Sequence, residues 1–239
     1  MPVHKVMGPV YCMTTHMQED YVVVFDTETQ NSFADVIGSK KQKLQKLHVS
    51  VAAALCIPTR LCIGQTSAEE ALKSAIVHTF WTKHEKDMTK MISLLHGATL
   101  VIGFNLYEFD YPVIRKYDTY DVLDDVCAKT LDVFSRVRDA TGQWYKLNTL
   151  LEANNLPCKT SHGLEAIAMY EEGRLEELES YCVNDVKSTA LLSLMSEITT
   201  GTRVLPNHVF GVSSMLAAIN HSSMLNERVS ACVQAPKTV

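Results

Sequence analysis

The chain has no C-x-x-C pair, no H-E-x-x-H, no apolar run long enough to cross a bilayer and no excess of basic charge. Each absence bears on a class of function. Its 7 cysteines (Cys12, Cys56, Cys62, Cys127, Cys158, Cys182 and Cys232) are odd in number and dispersed, which argues against a disulfide framework or a zinc ribbon and for reduced core thiols. The 9 histidines are scattered without ligand spacing, so zinc is not expected. No segment approaches the roughly 18 apolar residues of a membrane span. The opening Met1-Pro-Val-His-Lys-Val-Met-Gly8 lacks the apolar core of a secretory signal. The expectation is an intracellular, cytoplasmic protein with no membrane contact. A net charge of −5 argues against gripping duplex nucleic acid on a broad basic surface. It leaves room for a nucleic-acid enzyme whose acids are cancelled by bound metal.

What is present suits one α/β domain over residues 1–199 followed by an extension, 200–239. Tyr21 to Phe25 reads as a buried central strand, and Leu47 to Ile57 with Leu61 to Ile63 as two further strands completing an antiparallel three-strand meander. Between them lies a polar, Lys-rich segment at 39–46. Ser67 and Glu70 form a capping-box start for a helix through about Val77. A helix over His84 to Leu95 precedes the strand Thr99 to Gly103, and Pro112 suits a first helical turn within Phe109 to Tyr117. Thr130 to Phe134 is strand-like, and a helix is predicted from Leu147 to Asn155. The last long helix is predicted from Gly173 to about Ile198, with Leu175, Leu178, Cys182, Val186, Thr189 and Ser193 on one stripe. Strands first and helices interleaved afterwards predict a mixed sheet flanked by helices. The apolar patch Met215 to Ile219 is either a final packed helix or a place for a protein partner.

Three acidic motifs carry the chemistry. Tyr21-Val-Val-Val-Phe-Asp-Thr-Glu-Thr29 ends in two acids one residue apart, and strand alternation puts Asp26 and Glu28 on one face. Two such carboxylates repel, and the next lysine is only at Lys40, so a divalent cation with oxygen ligands is the economical partner. The second motif, Ile102-Gly-Phe-Asn-Leu-Tyr-Glu-Phe-Asp110, leads from a strand through a loop to an acid at a helix start. The third, Tyr181-Cys-Val-Asn-Asp185, stacks a phenol and an acid four residues apart on one helical face. Singly, each has a bland reading: a polar turn, a helix cap, a solvated helix acid.

Together, D-x-E on a strand end, N-x-x-x-F-D after another strand and Y-x-x-x-D in a late helix resemble the three motifs of the DEDDy branch of the DnaQ-like 3′-to-5′ exonuclease superfamily. Tyr181, where the sister branch has histidine, favours the tyrosine branch. The resemblance implies a ribonuclease H-like fold and two divalent metal ions, Mg²⁺ or Mn²⁺, held by Asp26, Glu28, Asp110 and Asp185. It implies that Tyr181 orients the attacking water, with Thr27 and Asn105 beside the terminal nucleotide. Thr130-Leu-Asp-Val-Phe134 also has a familial look, though Asp132 serves equally as a structural residue. The implied reaction is hydrolysis at the 3′ end of single-stranded nucleic acid, DNA before RNA, releasing nucleoside 5′-monophosphates in repair, proofreading or RNA processing. Phe104, Tyr107 and Phe109 surround the second motif and are candidates to stack on bases, with core packing the stronger reading for Phe109. Lys40, Lys41, Lys43 and Lys46 either touch phosphates or form a solvated loop. The competing readings are a catalytically silent ribonuclease H-like binding module and a structure-specific endonuclease, although no duplex-gripping basic helix is present.

Overall fold

Strands and helices interleave along the chain as β1 (Tyr21–Thr29), α1 (Lys40–Lys46), β2 (Val49–Pro58), α2 (Ala68–Lys73), β3 (Ile76–Trp81), α3 (Asp87–Gly97) and β4 (Leu100–Gly103). They continue as α4 (Tyr111–Ile114), α5 (Leu123–Ala128), β5 (Thr130–Asp132), α6 (Val133–Thr141), α7 (Leu147–Ala153), α8 (Gly163–Glu171), α9 (Leu175–Leu194), β6 (Glu197–Thr199) and β7 (Val204–Pro206). The computed structural model describes residues 19–63, 66–84, 86–158, 163–206 and 211–219. Met1 to Gly8, Cys12, Cys232 and the end of the 200–239 extension lie outside them.

The five-stranded sheet has the order β3-β2-β1-β4-β5, with β1–β2 and β2–β3 antiparallel and β1–β4 and β4–β5 parallel. A mixed sheet flanked by helices, with an antiparallel three-strand part and two parallel strands, is therefore observed. β1 is central and apolar on both faces because both faces are covered. Val22 and Val24 belong to a core with Leu178, Cys182 and Val186 of α9. Val23 and Phe25 point the other way, into a core with Met91 and Leu95 of α3 and Val113 and Ile114 of α4.

The third antiparallel strand is β3, not the expected Leu61 to Ile63. Pro58 ends β2, and Thr59–Leu61 winds into a 3₁₀ turn closed by the Cys62 N–H donating to Thr59 O at 3.0 Å. Ser67 does cap α2, accepting from the Glu70 N–H, but the helix stops at Lys73 rather than running to Val77. Ala71, Leu72 and Ala75 prolong an apolar pattern that mimics further helix. Ile76 and Val77 instead open an edge strand, where they remain 47% and 39% exposed. The Lys-rich segment is helix α1, capped by Ser39 and Gln42 in a reciprocal box. The predicted strand through Phe134 ends at Asp132, whose side chain caps α6.

The predicted long helix is α9, shorter than expected at both ends, and residues 212–219 form a further helix. Gly173 sits at φ +72 between α8 and α9, and the chain beyond Leu194 turns into the β6–β7 hairpin. Leu205, Val212 and Leu216 from the 200–239 segment are buried in the same core as α9. Of the Met215 to Ile219 patch, Leu216 is thus core. Among the described residues, no helix is long and apolar enough to cross a membrane.

Candidate metal centre

Parallel pairing fixes where β1 delivers its acids. Val22, Val23 and Val24 lie level with Leu100, Val101 and Ile102, so continuing the register sets Asp26 beside Phe104, past the end of β4. By alternation Asp26 and Glu28 follow Val22 and Val24 onto the α9 side. Helix α9 packs across β1 and β2 there, and the Cys182 thiol lies 3.7 Å from Asp26 O and 4.0 Å from its Oδ2. Asp185, three residues further along the same helical face, completes the approach. Carboxylate oxygens of Asp26, Glu28 and Asp185 all fall within 4.8 Å of one another, and Asp185 is 2% exposed. Three acids that close in a partly dehydrated corner repel strongly, and their hard oxygen donors suit Mg²⁺ or Mn²⁺.

A bulge shapes this corner. Thr27 pairs with Ala52 but Thr29 pairs with Val49, so β2 spends one residue more than β1 across Glu28. Such an insertion raises the local twist, and bulges are common beside active sites.

Asp110 is not one of the three. It arrives from the other side of the strand, through a loop that leaves β4 at Gly103. A Cβ at Gly103 would sit 2.5 Å from Leu106 Cγ, so a larger residue there would have to displace the buried Leu106 side chain. Asn105 takes a left-handed conformation at φ 70, a single turn of π-helix spans Leu106–Asp110, and Pro112 lies in the first turn of α4, as predicted. The buried Asp132 carboxylate straps the loop down by accepting from the backbone N–H groups of Asn105 (2.8 Å) and Tyr107 (3.2 Å), besides capping α6 at Ser135 (3.4 Å). Asp110 Oδ1 then accepts from both the backbone N–H (3.1 Å) and the hydroxyl (2.7 Å) of Thr27, the residue between Asp26 and Glu28. Burial pushes the Asp110 carboxyl up to about 7, against the pull of the Thr27 donors. Burial likewise holds the Cys182 thiol protonated, and the negative charges of Asp26, Glu28, Asp185 and Asp110 add to that effect.

The remaining predicted residues divide between the centre and the scaffold. Tyr181 is half-buried against the α9-side core. The Thr27 hydroxyl and N–H are both committed to Asp110. Asn105 contributes backbone to the Asp132 strap, with its side chain half-buried. Phe104 packs on Phe134, ring centroids 5.5 Å apart. Tyr107 is 41% exposed, yet its hydroxyl donates to Cys127 O (3.2 Å) and Thr130 O (3.0 Å), which ties it to the far side of β5. Phe109 packs on Phe33 in the α3-side core, as its stronger reading held. Of the lysines, Lys43 donates to Phe33 O (2.7 Å) and Lys46 to Ile37 O (2.8 Å), so two of the four serve their own loop, while Lys40 pairs with Glu108 of the 106–110 turn (2.7 Å). The strapping role of Asp132 was not foreseen. Its signal was an acid ending a strand just before a helix, the position of an N-cap.

No protein-family model matches the chain, and no curated protein does.

Proposed function

We propose that the protein is a metal-dependent 3′-to-5′ exonuclease of ribonuclease H-like fold, acting on single-stranded nucleic acid. The observation that supports this most is the meeting of Asp26, Glu28 and Asp185, from a central strand and a late helix, within 4.8 Å. Three carboxylates brought that close repel, and a bound cation would offset the repulsion.

Asp26, Glu28 and Asp185 would hold the ions, with Asp110 as a fourth donor once it is ionised. Two divalent ions held there would supply a hydroxide-like nucleophile at neutral pH and neutralise charge on the leaving 3′ oxygen. The chain's own residues do the rest. Asp110 clamps Thr27 and so sets the pitch of the strand end that carries Asp26 and Glu28. Asp132 fixes the loop that carries Asp110. Tyr181, one turn before Asp185, would position water by its hydroxyl, since a phenol keeps its proton at neutral pH.

One observation favours a second reading, a silent binding module: Asp110 Oδ1 is committed to Thr27, and Asp110 is not among the three acids that lie within 4.8 Å of one another. Both readings meet one assay. The purified protein is incubated with 3′-labelled and 5′-labelled single-stranded DNA and RNA, with Mg²⁺, Mn²⁺ or EDTA. A metal-dependent ladder receding from the 3′ end supports the exonuclease, and internal cuts would convert the reading to an endonuclease. Binding without cleavage would leave the silent module.

A further inference from the structure

Trp144 is 63% exposed although it lies in a short turn between α6 and α7 where no core needs it. It ends a row of rings. Its centroid is 5.1 Å from that of Phe134, which is 5.5 Å from that of Phe104. The Arg138 guanidinium lies 5.1 Å from the Trp144 ring centre. At its inner end the row is level with the candidate metal centre: Phe104 is the residue beside Asp26 in the continued β1–β4 register and shares its face of the sheet. Adjacent strands are about 4.8 Å apart, so the row starts one strand away from the acids and leads outward over β5 and α6 to solvent.

Core packing accounts for Phe104, which rests on the α9-side core, and Phe134 is half-buried. It does not account for Trp144, whose exposed indole is a large apolar surface facing water. Arg138, which also pairs with Glu108 (3.3 Å) and Asp139 (3.1 Å), lies against the ring, and the exposed Lys146 is two residues on. An exposed aromatic face bordered by cations suits a ligand with flat apolar rings on an anionic backbone.

We propose that Phe104, Phe134 and Trp144, with Arg138 at the outer ring, form a stacking row for the bases of single-stranded nucleic acid, over which the strand reaches the acid centre. The direction of travel rests on the exonuclease reading; the capacity to bind a strand does not. Stacking on the π-face of any base is sequence-tolerant, and a 2′-hydroxyl is not required, so DNA and RNA should both bind.

The test separates the two. Binding is read by fluorescence anisotropy of an oligothymidylate of about 12 nucleotides and of an abasic strand of equal length, on an Asp26→Asn background that prevents degradation. Trp144→Ala should weaken oligothymidylate binding about 5- to 100-fold, with little change for the abasic strand. Trp144→Phe should restore most of it, and circular dichroism confirms that each variant is folded. Unchanged affinity in Trp144→Ala, or equal loss for both strands, overturns the row. If the unsubstituted protein cleaves nothing yet Trp144→Ala loses base-dependent binding, the row stands and the exonuclease reading falls. Cleavage together with binding indifferent to Trp144 does the opposite: the row falls and the exonuclease reading stands.

Discussion

The two sides of β1 treat their acids in opposite ways. On the α9 side, Asp26 and Glu28 face Asp185, and acid is set against acid. On the other side, Asp110 meets the N–H and hydroxyl of Thr27, and acid is set against donors. Thr27 separates Asp26 from Glu28 in the chain, so the two arrangements share one stretch of backbone. On the donor side, Asp110 Oδ1 is already held by Thr27, which ties the loop at 106–110 to β1. The acid-crowded side gathers three carboxylates that could hold a cation, and the proposed function places the work there.

The sharpest way to break this contrast is to neutralise an acid on the crowded side. Asp26→Asn or Asp185→Asn should lower turnover by about 10³-fold or more and remove Mn²⁺ binding by calorimetry. The metal-free variants should unfold at an equal or higher urea concentration, because a repulsion has gone. A clear loss of metal-free stability would show these acids to be structural instead.

The next effect concerns the strap on the donor side. Asp132→Ala leaves the N–H groups of Asn105 and Tyr107 without their acceptor and frees the loop that delivers Asp110. Turnover should fall about 10- to 100-fold, as for other outer partners of a metal site, and Asp132→Asn, which keeps one acceptor oxygen, should recover part of it. Equal rates in both variants would remove Asp132 from the positioning role.

The pH dependence of stability probes Asp110 itself. Its carboxyl is raised by burial from an ordinary value near 3.8 to about 7 in the folded protein, so the folded state binds the proton more tightly than the unfolded chain. Stability of the metal-free protein should therefore be full below about 4 and decline as pH rises toward 7. Asp110→Asn lacks that titration and should exceed the parent by a few kcal/mol at pH 8, with the gap closing near pH 4. A gap that stays constant across the range would contradict the assignment. Last and smallest, Thr27→Val removes one donor at nearly constant volume and should cost about 1 kcal/mol in urea unfolding. It should also shift the Asp110 window to higher pH.

The centre was more legible in the chain than much of the fold around it. Asp26 and Glu28 announce themselves because a two-residue period is rigid in a strand, and Asp185 because a four-residue period is rigid in a helix. Where Asp110 points was not legible, since that depends on a left-handed Asn105, a π-turn and the Asp132 strap, none of which has a periodic signature. Edge strand β3 was missed for a related reason: only one flank pairs, Ile76 and Val77 stay exposed, and the preceding helix lends its apolar pattern. Helix α1 did carry a signal, Ser39 with Gln42 three residues on, but its lysines hide the one buried stripe residue, Leu44.

The extra residue of β2 opposite Glu28 has an arithmetical consequence. Removing Ser50 would let both strands count in step, giving a straighter and more regular ladder. The same deletion would relax the twist at Glu28. At this spot, shortening the polypeptide by one position should improve the sheet and disarm the protein, so a length polymorphism there would report on which of the two selection has favoured.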